Sequence, residues 1–391
     1  MPKLSRQSLY YSLDIIYYTL ISIKKMKYLM SFHNQQGLEN ILPIAQKLCE
    51  NELNEVSLLD LRELYGQPKI SFQNLNNIFV KSENSIYKNI RNLTKVNKAV
   101  FTFTKIVNIR NYANQFDKFI FSPGGFYEGL IAKSFVKNNK KTFFIEAGVK
   151  IYLFLKSQKS LQPKNNFLNN VTEYFTTGEI TKDNLENFTS EQNKIFNLGV
   201  PRYSKIVSIH KNLKPFNPKQ IKHLLFLTSA SKYHEMRWEE KWQKTIIEDL
   251  VNSPLIDGFV LNIKVHPRDD NNNYKKFEQK KNVNILYNTN IEADILQNDC
   301  IISGPSTSIH EASLLGKVYI TLWPFDKYEN EYMPKVSTSE NVPELISKIK
   351  QLNKDDSLQK EVYSTQLSLA NKFINIDSDL SVKNIIEHII N

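Results

Sequence analysis

Cysteine is nearly absent from this chain of 391 residues, with only Cys49 and Cys300. Each lies in an apolar context, so they read as buried thiols of a reducing compartment, without a disulfide frame or a metal cluster. No Gly-x-x-x-x-Gly-Lys-Ser/Thr loop, Gly-x-Ser-x-Gly elbow or His-Glu-x-x-His helix occurs. That removes the common sequence signs of P-loop hydrolysis, serine hydrolysis and zinc proteolysis. No internal repeat, zinc knuckle or aromatic RNA-binding signature is present, and no low-complexity arm. Long apolar runs are also missing. Leu9–Ile23 is apolar and aromatic between basic flanks, but it is too short to span a bilayer, carries Asp14 and lacks a small-residue cleavage site. It reads as a helix (residues 8–24) that either packs on its domain or touches a membrane surface. A cytoplasmic protein, with peripheral contact to the inner membrane face as an option, is expected.

What is present is ordinary in amount: 41% hydrophobic and 23% charged residues, which suits a folded globular chain. A length of 391 residues exceeds what one core usually serves, so two domains are expected. The formal net charge of +11 favours polyanions, either nucleotide phosphates or anionic lipid. The competing reading is a lysine-rich surface without a specific partner. Nucleic acid is not expected.

Short β-type runs alternate with helical stretches throughout, the pattern of parallel sheets covered by helices. Strands are expected at Tyr28–Phe32, Val56–Leu61, Asn77–Val80, Lys118–Phe121, Thr142–Ile145 and Tyr174–Thr177, with a polar loop at His33–Gly37. A turn-rich, proline-bearing stretch from Asn197 to Pro218 then suggests a boundary. The rhythm restarts at His223–Leu227 and continues through Phe259–Val265, Val283–Tyr287, Cys300–Ser303 and Val318–Leu322. The fold class is thus α/β: two Rossmann-like domains, 1–205 and 206–391, with ligands expected in a cleft between them. The last helices are candidates to pack back on the first domain.

The clearest site candidate is Ser303-Gly304-Pro305-Ser306-Thr307-Ser308, between a strand and a helix. Free main-chain N–H groups and hydroxyls there suit a nucleotide phosphate, although Ser306 or Ser308 as a plain helix cap explains the pattern too. Glu311, one turn on, is placed to accept from ribose hydroxyls or simply to complement the helix dipole. His310 reads as a helix-surface residue. Lys264-Val265-His266-Pro267-Arg268 gathers cations at a strand tip, where His266 would stabilise or protonate a leaving phosphate. In the first half, Glu146 closes an apolar strand before Ala147-Gly148, as a general base would. The competing reading is an ordinary loop glutamate. Gly124 and Gly125, in Ser122-Pro123-Gly124-Gly125, would let the backbone approach a ligand. His33 and Asn34 follow the first strand and are placed to touch an acceptor.

Taken together, these motifs resemble the two-domain GT-B glycosyltransferases. Glu146-Ala147-Gly148, His266-Pro267 and Ser306-Thr307-Ser308 resemble, in order, the motifs of bacterial sialyltransferases that use CMP-activated nonulosonic acids. That resemblance implies Glu146 as acceptor base, with His266 and the hydroxyl turn holding the CMP phosphate. Ala147 departs from it, standing where a second acidic residue is usual. Leu198-Gly199-Val200-Pro201-Arg202-Tyr203 resembles the Gly-x-Pro-Arg hinge of CDP-glycerol glycerophosphotransferases and capsule transferases. Ile145–Val149 and Ser303–Gly316 are similar to non-hydrolysing UDP-N-acetylglucosamine 2-epimerases, apart from a second glutamate missing after Glu311. The implied activity is inverting, metal-independent transfer from a nucleotide sugar to a surface glycan (capsule, lipopolysaccharide or glycolipid). A cytidine nucleotide is the expected donor, and no cofactor or metal is expected. A UDP-sugar or polyol-phosphate enzyme is the alternative. A non-catalytic nucleotide-sugar-binding assembly protein is the alternative of another class.

Overall fold

A computed structural model describes residues 25–65, 79–82, 110–148, 170–186, 194–229, 237–267, 269–304, 306–322 and 334–391. Leu9–Ile23 and Arg268 lie outside them. No described helix is long and apolar enough to cross a membrane.

The first sheet contains β1 (Met26–Phe32), β2 (Asn54–Asp60), β3 (Phe79–Ser82), β4 (Lys118–Phe121), β5 (Thr142–Ile145), β6 (Glu173–Phe175) and β7 (Ile195–Phe196). Their order is β3-β2-β1-β4-β5-β6-β7. Pairing is parallel from β3 through β5. The second sheet contains β8 (His223–Leu227), β9 (Val260–Lys264), β10 (Val283–Leu286), β11 (Cys300–Ser303), β12 (Val318–Leu322) and β13 (Thr338–Ser339). Its order is β10-β9-β8-β11-β12-β13, with every pairing parallel. In each sheet the chain builds outward to one side, then returns to the other side of the starting strand. The order therefore reverses between β1 and β4 and again between β8 and β11. Such switch points open a crevice at the carboxyl ends of the strands, because the flanking connections diverge there.

The strand sequences explain the parallel arrangement. Leu224–Leu227, Cys300–Ser303 and Val318–Leu322 are buried along their whole length, as helix-covered strands must be. One covering helix spans Val342–Leu352 and buries Val342, Leu345, Ile346 and Ile349. That i, i+3, i+4, i+7 spacing forms one apolar stripe. Each such side chain contributes roughly 1.5–3 kcal/mol on burial. The stripe joins Leu224, Phe226, Leu261, Ile302 and Ile320 in one core.

Two corrections to the expected elements bear on function. Helix α1 begins at Gln35 and runs to Cys49, so the expected polar loop His33–Gly37 is largely its cap and first turn. The reason is local: the Asn34 side chain accepts the Gly37 N–H at 2.8 Å and starts the helix early. The strand expected at Tyr174–Thr177 is Glu173–Phe175 instead, since Thr177 turns to serve Glu146.

Contacts divide the chain into two compact units. One comprises Met1–Ile145, Asn165–Tyr174 and Ile385–Asn391; the other comprises Glu146–Lys164 and Phe175–Asn384. Within the first, the final turn of the last helix is held by Lys118, whose Nζ donates to the Ile389 carbonyl.

Candidate functional site

At the switch point of the first sheet, β1 is followed by His33 and β4 runs into Ser122–Gly125, the lead-in to helix α2 (Phe126–Lys137). The Leu61 N–H donates to the Phe32 carbonyl at 2.9 Å, which holds the end of β2 beside β1 and brings the turn Arg62–Tyr65 with it. Three side chains from these three strand ends meet. Glu128, in the first turn of α2, is fully buried. Its Oε1 lies 2.7 Å from His33 Nδ1, and its Oε2 accepts the Tyr65 hydroxyl at 2.6 Å. The Tyr65 ring stacks on His33 at 4.0 Å, and its hydroxyl accepts the Tyr127 N–H at 3.1 Å. Burial, and then the Glu128 charge, push the Tyr65 hydroxyl far above its ordinary range, so it stays a donor.

Gly125 is explained by this cluster. A Cβ there would meet Tyr65 Oη at 2.3 Å and Glu128 Oε2 at 2.9 Å. The expected close approach is therefore filled by the protein's own side chains, which corrects the reading of Gly125 as backbone opened for a ligand. Gly124 precedes it, partly exposed. Asn34 is occupied as the α1 cap.

At the second sheet's switch point, Ser303 closes β11 and the hydroxyl turn leads into the helix Ser308–Leu314. The turn's hydroxyls are partly engaged locally. Ser303 Oγ donates to the Gly304 carbonyl at 2.7 Å, and Ser306 Oγ lies 3.4 Å from the Ser308 N–H. Thr307 is buried, whereas Ser306 and Ser308 retain some exposure. His266 follows β9, partly exposed, with its N–H donated to Thr228 Oγ1 at 2.8 Å. Thr228 ends β8, so neighbouring strand tips are pinned together there.

Lys264 does not join the turn. Its buried Nζ pairs with Asp294 Oδ2 at 2.9 Å and donates to the carbonyl and hydroxyl of Thr289, both at 2.7 Å. A lysine so engaged closes the connection into the helix Ile291–Gln297 rather than meeting a phosphate.

Within the second unit, Glu146 is also enclosed. It is fully buried, and its Oε2 accepts the Thr177 N–H at 2.9 Å and the Thr177 hydroxyl at 3.0 Å. That arrangement ties strand ends together and corrects the picture of an open carboxylate meeting an acceptor. Ala147 and Gly148 follow, and here sequence reasoning missed the organising residue. The Arg202 guanidinium donates from Nη1 to the Ala147 carbonyl and from Nη2 to Glu311 Oε1, each at 3.3 Å. Gly148 lies against the same Arg202–Tyr203 pair, 3.7–3.8 Å from its would-be Cβ. The Gly199-Val200-Pro201-Arg202 element was the available signal. His310 is not on a surface: it is 2% exposed and stacks on Phe373 at 4.2 Å. Desolvation lowers its pKa to about 3.

Among the described residues, no group of three or more His, Cys, Asp or Glu side chains is arranged to hold a metal. Asp377 and Asp379, an Asp-x-Asp spacing, both pair with Lys211.

No family model matches the chain, and no curated protein matches it. Solved structures do. UDP-GlcNAc 2-epimerase from Neisseria meningitidis, bound to UDP-GlcNAc, aligns with a TM-score of 0.59 and 14% identity, over 93% of this chain and 100% of that one. S. aureus MnaA with UDP gives 0.60 and 13%, over 93% and 96%. The wall teichoic acid polymerase TagF with CDPG gives 0.55 and 13%, over 98% and 96%. Identity this low speaks for the fold, and the fold is the α/β, GT-B-like one of two Rossmann-like halves.

Proposed function

We propose that this protein is an enzyme acting on a nucleoside-diphosphate-linked sugar or polyol: a transferase of surface-polysaccharide synthesis, related in chemistry to UDP-sugar and CDP-polyol enzymes. The observation that carries the reading is the Ser303–Ser308 turn at the switch point of the second sheet, with His266 at a neighbouring strand tip. Structures that share the fold along nearly the whole chain hold UDP, UDP-GlcNAc or CDPG. A nucleoside diphosphate therefore replaces the CMP-nonulosonic donor suggested by the sialyltransferase-like motifs.

In this reading the partly exposed hydroxyls of Ser306 and Ser308 take the donor phosphate. His266 stabilises charge as the nucleotide leaves, a contribution only realised in the transition state. Glu311 is buried and fixed by Arg202, so it acts by holding that arginine in place rather than by meeting a ribose. Glu146 acts through position: held by Thr177, it sets the Ala147–Gly148 backbone that Arg202 binds. Transfer is favoured over 2-epimerisation because Arg202 of the Gly-Val-Pro-Arg element organises this cluster, while the second glutamate of the epimerase resemblance is missing after Glu311.

The test is a thermal-shift series with UDP, CDP, CMP, GDP and ADP, followed by chromatography of products from UDP-sugars and CDP-polyols. Ligands that bind only the folded state raise its stability, by about 2.7 kcal/mol at a hundredfold excess over Kd. Stabilisation by UDP or CDP, weakened in the Ser306→Ala variant and accompanied by turnover, is expected. Stabilisation by CMP alone would restore the nonulosonic donor. Binding without turnover of any donor would indicate a non-catalytic carrier.

A further inference from the structure

We propose that Thr228, Gln243, Asp269 and Tyr274 are positioning residues for His266: they close a circuit of hydrogen bonds on both main-chain groups of that histidine and fix the turn from which its imidazole acts. The inference rests on the transferase reading above, which sets His266 at the leaving nucleotide, and every residue in it belongs to the second unit.

The bonds run head to tail. The His266 N–H donates to Thr228 Oγ1 at 2.8 Å. Thr228 then gives its own proton to the Tyr274 hydroxyl. The Tyr274 hydroxyl donates in turn to Asp269 Oδ2. The Asp269 N–H closes the circuit on the His266 carbonyl at 2.9 Å. Gln243, from the helix Arg237–Asn252, braces it. Its Nε2 lies 3.2 Å from Tyr274 Oη and 3.4 Å from Asp269 Oδ2, while its Oε1 accepts the Ser229 N–H at 2.6 Å. Tyr274 and Gln243 are buried, so water does not compete for these bonds. Burial, and then the bond to Asp269, hold the Tyr274 hydroxyl far above its ordinary range, so it remains a donor.

The circuit lies beyond the sheet. The strand tips are already joined through the main chain, where the Thr228 N–H donates to the Lys264 carbonyl at 3.1 Å and the Val265 N–H to the Leu286 carbonyl at 3.0 Å. The circuit begins one residue further on, at His266. A buried polar network that is fully paired selects one geometry, because a shift leaves a desolvated group unpaired. Here the geometry selected is the backbone of His266, and with it the direction of the Cα–Cβ bond. Stabilisation of a transition state depends steeply on such placement, and a displacement of about 1 Å costs on the order of a hundredfold in rate.

Two measurements on the full chain test this. Tyr274→Phe keeps the aromatic packing and removes one link. With the UDP-sugar or CDP-polyol that the protein turns over, kcat should fall roughly ten- to a hundredfold, while the UDP-induced thermal shift persists. In a Tyr274→Phe, His266→Ala double variant, kcat should match that of His266→Ala alone, since a residue acting through His266 has nothing left to position. A double variant slower by the full Tyr274→Phe factor would reveal a general structural role and overturn the proposal, as would near-normal kcat in Tyr274→Phe. The circuit itself is read without activity, by amide hydrogen exchange followed by NMR. The His266 N–H should be protected in the wild type and exchange at least about fivefold faster in Thr228→Val and Tyr274→Phe, the worth of one net hydrogen bond. An unprotected His266 N–H in the wild type overturns the proposal whatever the kinetics. A protein with that N–H protected that binds no UDP and turns over no donor removes the transferase reading instead, and with it the role given to the circuit.

Discussion

The two switch points have the same topology and opposite internal economies. At the first, charged and polar groups converge: one buried carboxylate is filled by a histidine and a tyrosine from two other strand ends. At the second, the conspicuous groups disperse. Lys264 is taken by Asp294 and Thr289, and Ser303 bonds its own neighbour. That unit also holds an ion pair between Arg202 and Glu311. A sequence-visible cluster of cations and hydroxyls is thus no guarantee of a convergent site. Three residues without any local motif can form one, because the order β2-β1-β4 sets their strand ends side by side.

Breaking each cluster at its least visible member sharpens the contrast. The largest effect is expected from Arg202→Met, which leaves Glu311 buried without its cation. Loss of one partner of a buried pair costs about 3 kcal/mol, so chemical denaturation should show a markedly lower midpoint together with weaker nucleotide stabilisation. Unchanged stability would mean that the pair is not formed. At the first switch point, Gly125→Ala places a methyl group against Tyr65 and Glu128, an overpacking cost of about 2 kcal/mol. Its stamp should be a lower denaturation midpoint that leaves the nucleotide thermal shift intact, since the turn it disturbs belongs to the other unit. A fall in nucleotide affinity instead would blur the comparison. The smallest effect near neutral pH is titrational. The His310 pKa is lowered to about 3 in the fold, against 6.5 ordinarily. The unfolded chain therefore binds the proton first as pH falls. The neutral ring's contribution is complete above about pH 6.5 and is lost progressively toward pH 3, at up to about 1.4 kcal/mol per pH unit. Denaturation midpoints across that window should fall less steeply in His310→Phe. An identical slope would place the acid sensitivity elsewhere.

Much of the fold was legible because it is written locally. Apolar runs such as Leu224–Leu227 and Val318–Leu322 have one reading in a helix-covered sheet, and the i, i+3, i+4, i+7 stripe of Val342–Leu352 has one in a helix. The Ser303–Ser308 turn was legible for the same reason, since strand, small residues and helix follow one another directly. Burial was not legible. Glu146 and His310 look alike in sequence to exposed loop and helix residues, and only packing decided that both are enclosed. Nor did sequence distinguish a glycine kept for a ligand from one kept for Tyr65, as at Gly125.

The sequence by itself determined the alternation of strands and helices, the two-sheet α/β class and the position of the hydroxyl turn. Each depends on side-chain periodicity and residues close in the chain. The tertiary structure alone decided that His33, Tyr65 and Glu128 meet, that Arg202 pairs with Glu311, and that Lys264 is engaged elsewhere. Those pairings join residues up to 109 positions apart, and parallel strand order brings them together through crossovers that leave no local trace.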